Sequence, residues 1–176
     1  MKRFVYRILR FIANKSGSDK KIKFLRKQGM KIGEHCHLET MAFVAEPYLM
    51  ELGDYVAIAN GSTFITHDAS LWCFRDEFPI ADLFGKVKIG NNVFIGMNCT
   101  ILPNTIIGNN SVIGAGSVVR GKFPDNSVIA GNPAKVIMDM NVYRFLCRQN
   151  PDRLNTEKMT DPEKKPHVIK HFAEKK

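Results

Sequence analysis

Large apolar residues return every six positions through the middle of this chain. The beat runs Leu52, Ile58, Phe64, stops, and resumes at Ile89, Ile95, Ile101, Ile107, Ile113 and Val119. Earlier beats fall at Ile32, Leu38 and Val44, after which "EPYL" slips the phase by two residues. Gly follows the beat at Gly33, Gly53, Gly90, Gly96, Gly108 and Gly114, and small or β-branched residues precede it by two at Val87, Val93, Thr105, Ser111 and Ser117. A coiled coil repeats in sevens and a half-solvated strand alternates in twos, so neither produces a period of six. Short strands joined by tight turns do. One aliphatic side chain per strand then points inward, and Gly or Asn serves where a turn needs φ > 0. Successive coils stack at the sheet spacing of about 4.8 Å and bury a continuous aliphatic column.

The beat breaks just after "ITHD". Between Phe64 and Ile89 the chain makes an excursion, residues 68–86, that carries Trp72, Phe74, Phe78 and Phe84. That is too apolar for a loop in water, and it is expected to lie against something such as another copy of the protein. Upstream, Phe4, Val5, Ile8, Leu9, Phe11 and Ile12 recur at helical spacing with Arg3, Arg7 and Arg10 between them, which predicts a short amphipathic helix ending at "NKSGSD". A second helical stretch, "KKIKFLRKQG", ends near Gly29. Two readings of this arm stand open. It is a foot on an anionic membrane surface, or a helix packed on the end of the core with its basic face in solvent. Downstream of the repeats come "KFPDNSVIAGNPAKVI", a predicted helix over Met140–Arg148, and a tail with the composition of a flexible terminus. The expected organisation is a basic helical arm over 1–31, a coil domain over 32–137 with the inserted loop 68–86, and a C-terminal helix and polar tail over 138–176.

Charge sharpens this division. The 176 residues carry a net +9, but residues 1–31 hold eleven Lys and Arg against one acid, Asp19, while the remainder holds fifteen basic and sixteen acidic residues. The body therefore lacks the basic face that nucleic-acid binding needs, and no nucleic-acid module is visible. Cys36, Cys73, Cys99 and Cys147 lack CxxC spacing, so neither a zinc clip nor a disulfide framework is indicated. They read as free thiols of a reducing cytoplasm. Arg7 and Arg10 interrupt the first apolar stretch and no small-residue cleavage site follows, so no signal peptide is expected. No run of about twenty apolar residues predicts a membrane span. The expected location is cytoplasmic, with peripheral contact at the inner membrane surface if the arm is a foot. His167 and His171 share helical i, i+4 spacing, but without a further ligand they read as solvated tail residues, and no metal is expected.

"IGNNVFIGMNCTILPNTIIGNNSVIGAGSVV" and the closing "AGNPAKVI" resemble the hexapeptide-repeat transferases, in particular CoA-dependent O-acetyltransferases of sugars and polysaccharides of the maltose, galactoside and capsule-decorating kind. The resemblance covers roughly residues 32–137. It implies a mainly β fold, a left-handed parallel β-helix with short terminal helices, against the usual right-handed crossover. It also implies a homotrimer, with acetyl-CoA as donor in a groove between subunits. Two positions depart from the pattern: Leu102 stands where a small residue is usual, and Cys99 where Ser, Thr, Ala or Val is preferred.

In the resembling enzymes a catalytic histidine follows an "IAxxxxF" coil, here "IANGSTF", and a long loop beyond it covers the site. That residue is His67. Acyl transfer to a hydroxyl needs a near-neutral base, a backbone donor at the oxyanion and a lid against water, and a histidine beside an apolar excursion suits the first and last. Asp68 is a poor orienter, because adjacent side chains of an extended chain point oppositely. Glu46 and Glu39, on earlier coils, are candidates near the acceptor together with Trp72, Glu39 falling where the resembling enzymes carry an acceptor-binding asparagine. The resemblance assigns donor contacts to Gly96, Ala115, Arg120, Lys122 and Lys135. It usually has Ser or Ala where this chain has Met97, and Thr before Lys where it has Arg120. The acceptor is expected to be a sugar hydroxyl of a saccharide or polysaccharide precursor, with N-acylation of an amino sugar as an alternative. Another is a metalloenzyme resembling the γ-class carbonic anhydrases, which would need His35, His37 and His67 around zinc; a third is an inactive trimeric scaffold.

Overall fold

The computed structural model describes residues 2–43 and 46–174. The chain divides into two compact units, Met1–Asn141 and Val142–Lys176. The first opens with helices α1, Lys2–Asn14, and α2, Ser18–Lys27. Asp19 in the first turn of α2 and Arg26 and Lys27 in its last complement the helix dipole, and Gly29, at φ 91°, ends the turn where a side chain would be strained.

Beyond Met30 the chain winds through three sheets in rotation. Lys31–Ile32, Met50–Leu52, Val87–Ile89, Thr105–Ile107 and Lys122–Phe123 pair in parallel in one. His37–Leu38, Ala57–Ile58, Val93–Ile95, Ser111–Ile113 and Ser127–Gly131 form the second, and Thr63–Phe64, Thr100–Ile101 and Val118–Val119 the third. Thr105 registers on Val87, Ser111 on Val93 and Val118 on Thr100, so one coil in this stretch is three beats of six residues. The beat residues stack in buried columns, Leu38, Ile58, Ile95, Ile113 and Ile129 in one and Phe43, Phe64, Ile101 and Val119 in another. Val44, a predicted beat, lies outside the described residues, and Phe43 occupies the core there.

Two local expectations change. The strands bury the residue two before the beat as well, because Val87, Val93, Thr105 and Ser111 alternate inward with it. The glycines after the beat are not there for positive φ. The left-handed turn positions belong mainly to asparagines, at Asn92, Asn98, Asn104, Asn110 and Asn126. Gly90 and Gly96 are required by close approach instead: a Cβ at Gly96 would stand 2.6 Å from the Ala115 nitrogen on the next coil, and one at Gly90 2.8 Å from that of Asn109.

The excursion leaves the third sheet through an antiparallel pair, His67–Asp68 with Leu83–Phe84. Inside it, Arg75 donates to the carbonyls of Phe78 and Ala81 and pairs with Asp82 at 2.8 Å. The last coil closes in a hairpin, Ser127–Gly131 with Ala134–Asp139, around a cis Asn132–Pro133 peptide. Helix α3, Met140–Gln149, follows. Where composition reads as a polar tail, the structure has a helix, α4, Asp161–Ala173, because Thr160 and Glu163 form a reciprocal capping box.

Candidate active site

His67 sits on the last two residues of coil before the excursion, half-buried, with the Phe84 ring 6.2 Å from its own. Its Nδ1 lies 2.9 Å from Glu46 Oε2, and Thr66 Oγ1 donates to the same oxygen at 2.7 Å. An ionised carboxylate only accepts, so Nδ1 carries the proton and the neutral ring keeps its lone pair at Nε2. Burial pushes the Glu46 carboxyl up, but the hydrogen bonds from His67 and Thr66 and the His67 charge outweigh it and hold the group below its ordinary value. Glu46, a candidate acceptor contact by sequence, is a hydrogen-bond partner of the His67 ring. Sequence reasoning missed Thr66, a fully buried hydroxyl next to His67, although its place two residues after the beat at Phe64 could have marked it as an inward hydroxyl needing a partner.

Asp68 turns away, its Oδ1 accepting from the Ser70 amide at 2.8 Å. Its carboxyl is held low by the hydrogen bonds with Ser70, with the Arg120 and His67 charges adding to the effect. Arg120 therefore belongs to the His67 side of the coil, one corner beyond Val119, whose carbonyl accepts from the Leu102 amide. Gly96 and Ala115 meet at the preceding corner. Lys135 is close to them, since it registers on Ala130, whose Cβ lies directly over Gly114. Lys122 does not join this group. It stands on the exposed side of the first sheet, in register with Ile106.

Glu39 makes its contacts elsewhere in the chain. Its carboxylate lies 2.6 Å from His37 Nε2, and its carbonyl accepts from the buried Lys21 ammonium at 3.1 Å. Trp72 is 77% exposed, with the Arg75 guanidinium 6.0 Å from its ring centre. His35 stacks on Tyr55 at 4.6 Å, so His35, His37 and His67 do not converge within the chain. His171 Nε2 lies 2.9 Å from Asp152. Among the described residues no three His, Cys, Asp or Glu side chains are grouped as metal ligands. Cys99 is buried with its Sγ 3.2 Å from the Gly114 carbonyl, and burial raises its thiol, so it packs the coil as a neutral group. The arrangement as a whole sets an oriented imidazole, held by Glu46, where the coil gives way to the apolar excursion.

Residues 86–121 match the family model described as bacterial transferase hexapeptide (six repeats). The chain is 41% identical over 153 residues to Protein CapG of Staphylococcus aureus, covering 85% of this chain and 88% of that one. Among solved structures it is similar to a maltose O-acetyltransferase from Clostridium difficile 630, at 26% identity and TM-score 0.57, over 78% of this chain and 86% of that one. It is similar also to a galactoside acetyltransferase in complex with coenzyme A, at 25% identity and TM-score 0.58, over 82% and 83% of the two chains.

Proposed function

Since this chain belongs to the bacterial hexapeptide-repeat transferases together with CapG, we propose that it is an acetyl-CoA-dependent O-acetyltransferase acting on a sugar hydroxyl of a saccharide or polysaccharide precursor. It works as a homotrimer of left-handed coils. The observation that carries the reading is the Glu46–His67 pair at the foot of the excursion. Two similar structures, a maltose and a galactoside acetyltransferase, support a saccharide acceptor, and the second holds coenzyme A.

The bound donor supplies an activated acyl group. The chain supplies the rest. With Nδ1–H held on Glu46, His67 Nε2 removes the acceptor's hydroxyl proton as that oxygen attacks the acyl carbonyl, then returns the proton to the leaving sulfur. No acyl-enzyme forms. The Glu46 carboxylate fixes the ring and favours the transient imidazolium. Backbone amides at the coil corners are the donors for the oxyanion. The donor residues fit their group in part: Gly96 and Ala115 carry no bulky side chain although the exposed Met97 adjoins them, and the exposed cations Arg120 and Lys135 suit diphosphate and 3′-phosphate. Lys122, on another sheet, would reach the donor of a neighbouring subunit. Glu39 and Trp72 belong to the acceptor side of the assembled trimer.

His67→Ala tests the chemistry. It is expected to lower kcat by about 10²–10⁴-fold while acetyl-CoA affinity and trimer mass stay as in the wild type, read by thiol release and calorimetry. A variant of full activity would remove the base assignment.

A further inference from the structure

Helix α1 is mounted inside out. A helix packed on a water-soluble core turns its apolar stripe inward. Here the inward stripe is Tyr6, Arg10 and Ala13, at i, i+4 and i+7. Ala13 is buried, the Tyr6 ring lies 5.7 Å from that of Phe24, and Arg10 Nη2 donates to the Met41 and Phe43 carbonyls at 3.4 and 3.3 Å. At 100° per residue, Phe4, Ile8, Phe11 and Ile12 fall on the other side, and the structure leaves Phe4 69% and Phe11 65% exposed. Arg7 is exposed as well, so α1 packs on the core while both its apolar side and this basic residue meet solvent.

A shallow groove of about 190 Å³ continues this face between α1 and α2. Leu9, Ile12 and Phe24 line it together with Lys20, Lys23 and Lys27, and no acidic side chain does. The three exposed lysines follow α2 at i, i+3 and i+7. Apolar surface edged by ammonium groups matches the boundary of an anionic bilayer, where acyl chains lie beneath phosphates. A second copy across a two-fold axis is a poorer match. A symmetric contact through this face would set lysine stripe against lysine stripe, in a segment with eleven basic residues and one acid.

We propose that α1 and α2 form a foot that docks the protein on an anionic phospholipid surface. Helix α1 lies in the interface plane, with Phe4, Ile8, Phe11 and Ile12 among the acyl chains and Lys20, Lys23 and Lys27 on headgroup phosphates. At 13 residues, α1 reaches about 20 Å, short of the roughly 30 Å hydrocarbon core, and no described helix is long and apolar enough to cross a membrane. The foot goes beyond the transferase reading and does not depend on it.

Co-sedimentation of the full chain with vesicles, of phosphatidylglycerol mixed with phosphatidylcholine or of phosphatidylcholine alone, tests the foot. Binding is expected only to the anionic vesicles and is expected to be lost near 1 M salt, where screening shortens to about 3 Å. Replacing Lys20, Lys23 and Lys27 by Gln is expected to weaken partitioning about 100-fold, at about fivefold per charge near the surface. Ile8→Asp with Phe11→Asp, both exposed, is expected to abolish binding while oligomer mass and circular dichroism stay unchanged. No binding to either vesicle, or equal binding to both, overturns the proposal. A changed oligomer mass in the double Asp variant overturns it too, by making the face a contact between subunits.

Discussion

Glu46 Oε2 receives two hydrogen bonds at once, from Thr66 and His67, and this ties stability to catalysis at one atom. Its carboxyl is held below the ordinary 4.5, so the charged form is the one the folded state prefers. The stabilisation this gives is complete above about the ordinary value and is lost as pH falls through the depressed folded value. Glu46→Gln removes that dependence. In urea titrations from pH 7 to pH 3, wild type is expected to lose stability on the acid side that the Gln variant does not lose. In the proposed mechanism the same substitution lowers kcat, because a neutral amide no longer favours the transient imidazolium. An unchanged kcat in Glu46→Gln would show that the carboxylate only packs the coil.

The coil is held together as an element by one corner motif repeated along its length. Asp54, Asn91, Asn109 and Asp125 each offer Oδ1 to a backbone amide of the preceding coil, those of Glu34, Asp54, Asn91 and Asn109, all at 2.8 Å. The glycines after the beat leave room for this ladder. Asn109→Ala deletes one rung and is expected to cost about 1 kcal/mol in chemical denaturation. Gly90→Ala sets a methyl against the Asn109 backbone and is expected to cost more, about 1–3 kcal/mol. Equal stability of Gly90→Ala and wild type would mean that neighbouring coils are free to move apart. The excursion is a different kind of element, braced by Arg75 on its own carbonyls rather than by a core.

For the whole molecule, the excursion is an uncovered apolar surface apart from α1, with Trp72, Phe74, Phe78 and Ile80 exposed, Ile80 at 94%. Covering such a patch favours association, and the proposed trimer supplies the cover. Light scattering is expected to return three times the chain mass; a stable monomer would remove the inter-subunit site. Lys135→Ala is expected to weaken CoA binding and flatten its salt dependence. Equal affinity of wild type for CoA and dephospho-CoA would remove the cation from the 3′-phosphate.

Periodicity alone determined the coil. A side chain's inward or outward direction in a short strand is local, so Leu52, Ile58 and Phe64, and then Ile89 through Val119, could be assigned to a stacked core from spacing. The break after Phe64 marked the excursion, while His67 was picked out by the resemblance of the coil before it. Which carboxylate meets His67 was decided by stacking: Glu46 is 21 residues away along the chain, and the phase slip at "EPYL" sets where the earlier coil passes. Stacking also decided that Gly96 answers to the backbone of Ala115, a contact between coils that no turn rule contains, and that Lys122 faces out from another sheet than Arg120. The sequence of α1 contains two faces, but amphipathicity is symmetric with respect to which one is buried. Arg10 donating to the carbonyls of Met41 and Phe43, with Tyr6 against Phe24 and Ala13 buried, set one stripe inward and left Phe4, Ile8, Phe11 and Ile12 outside.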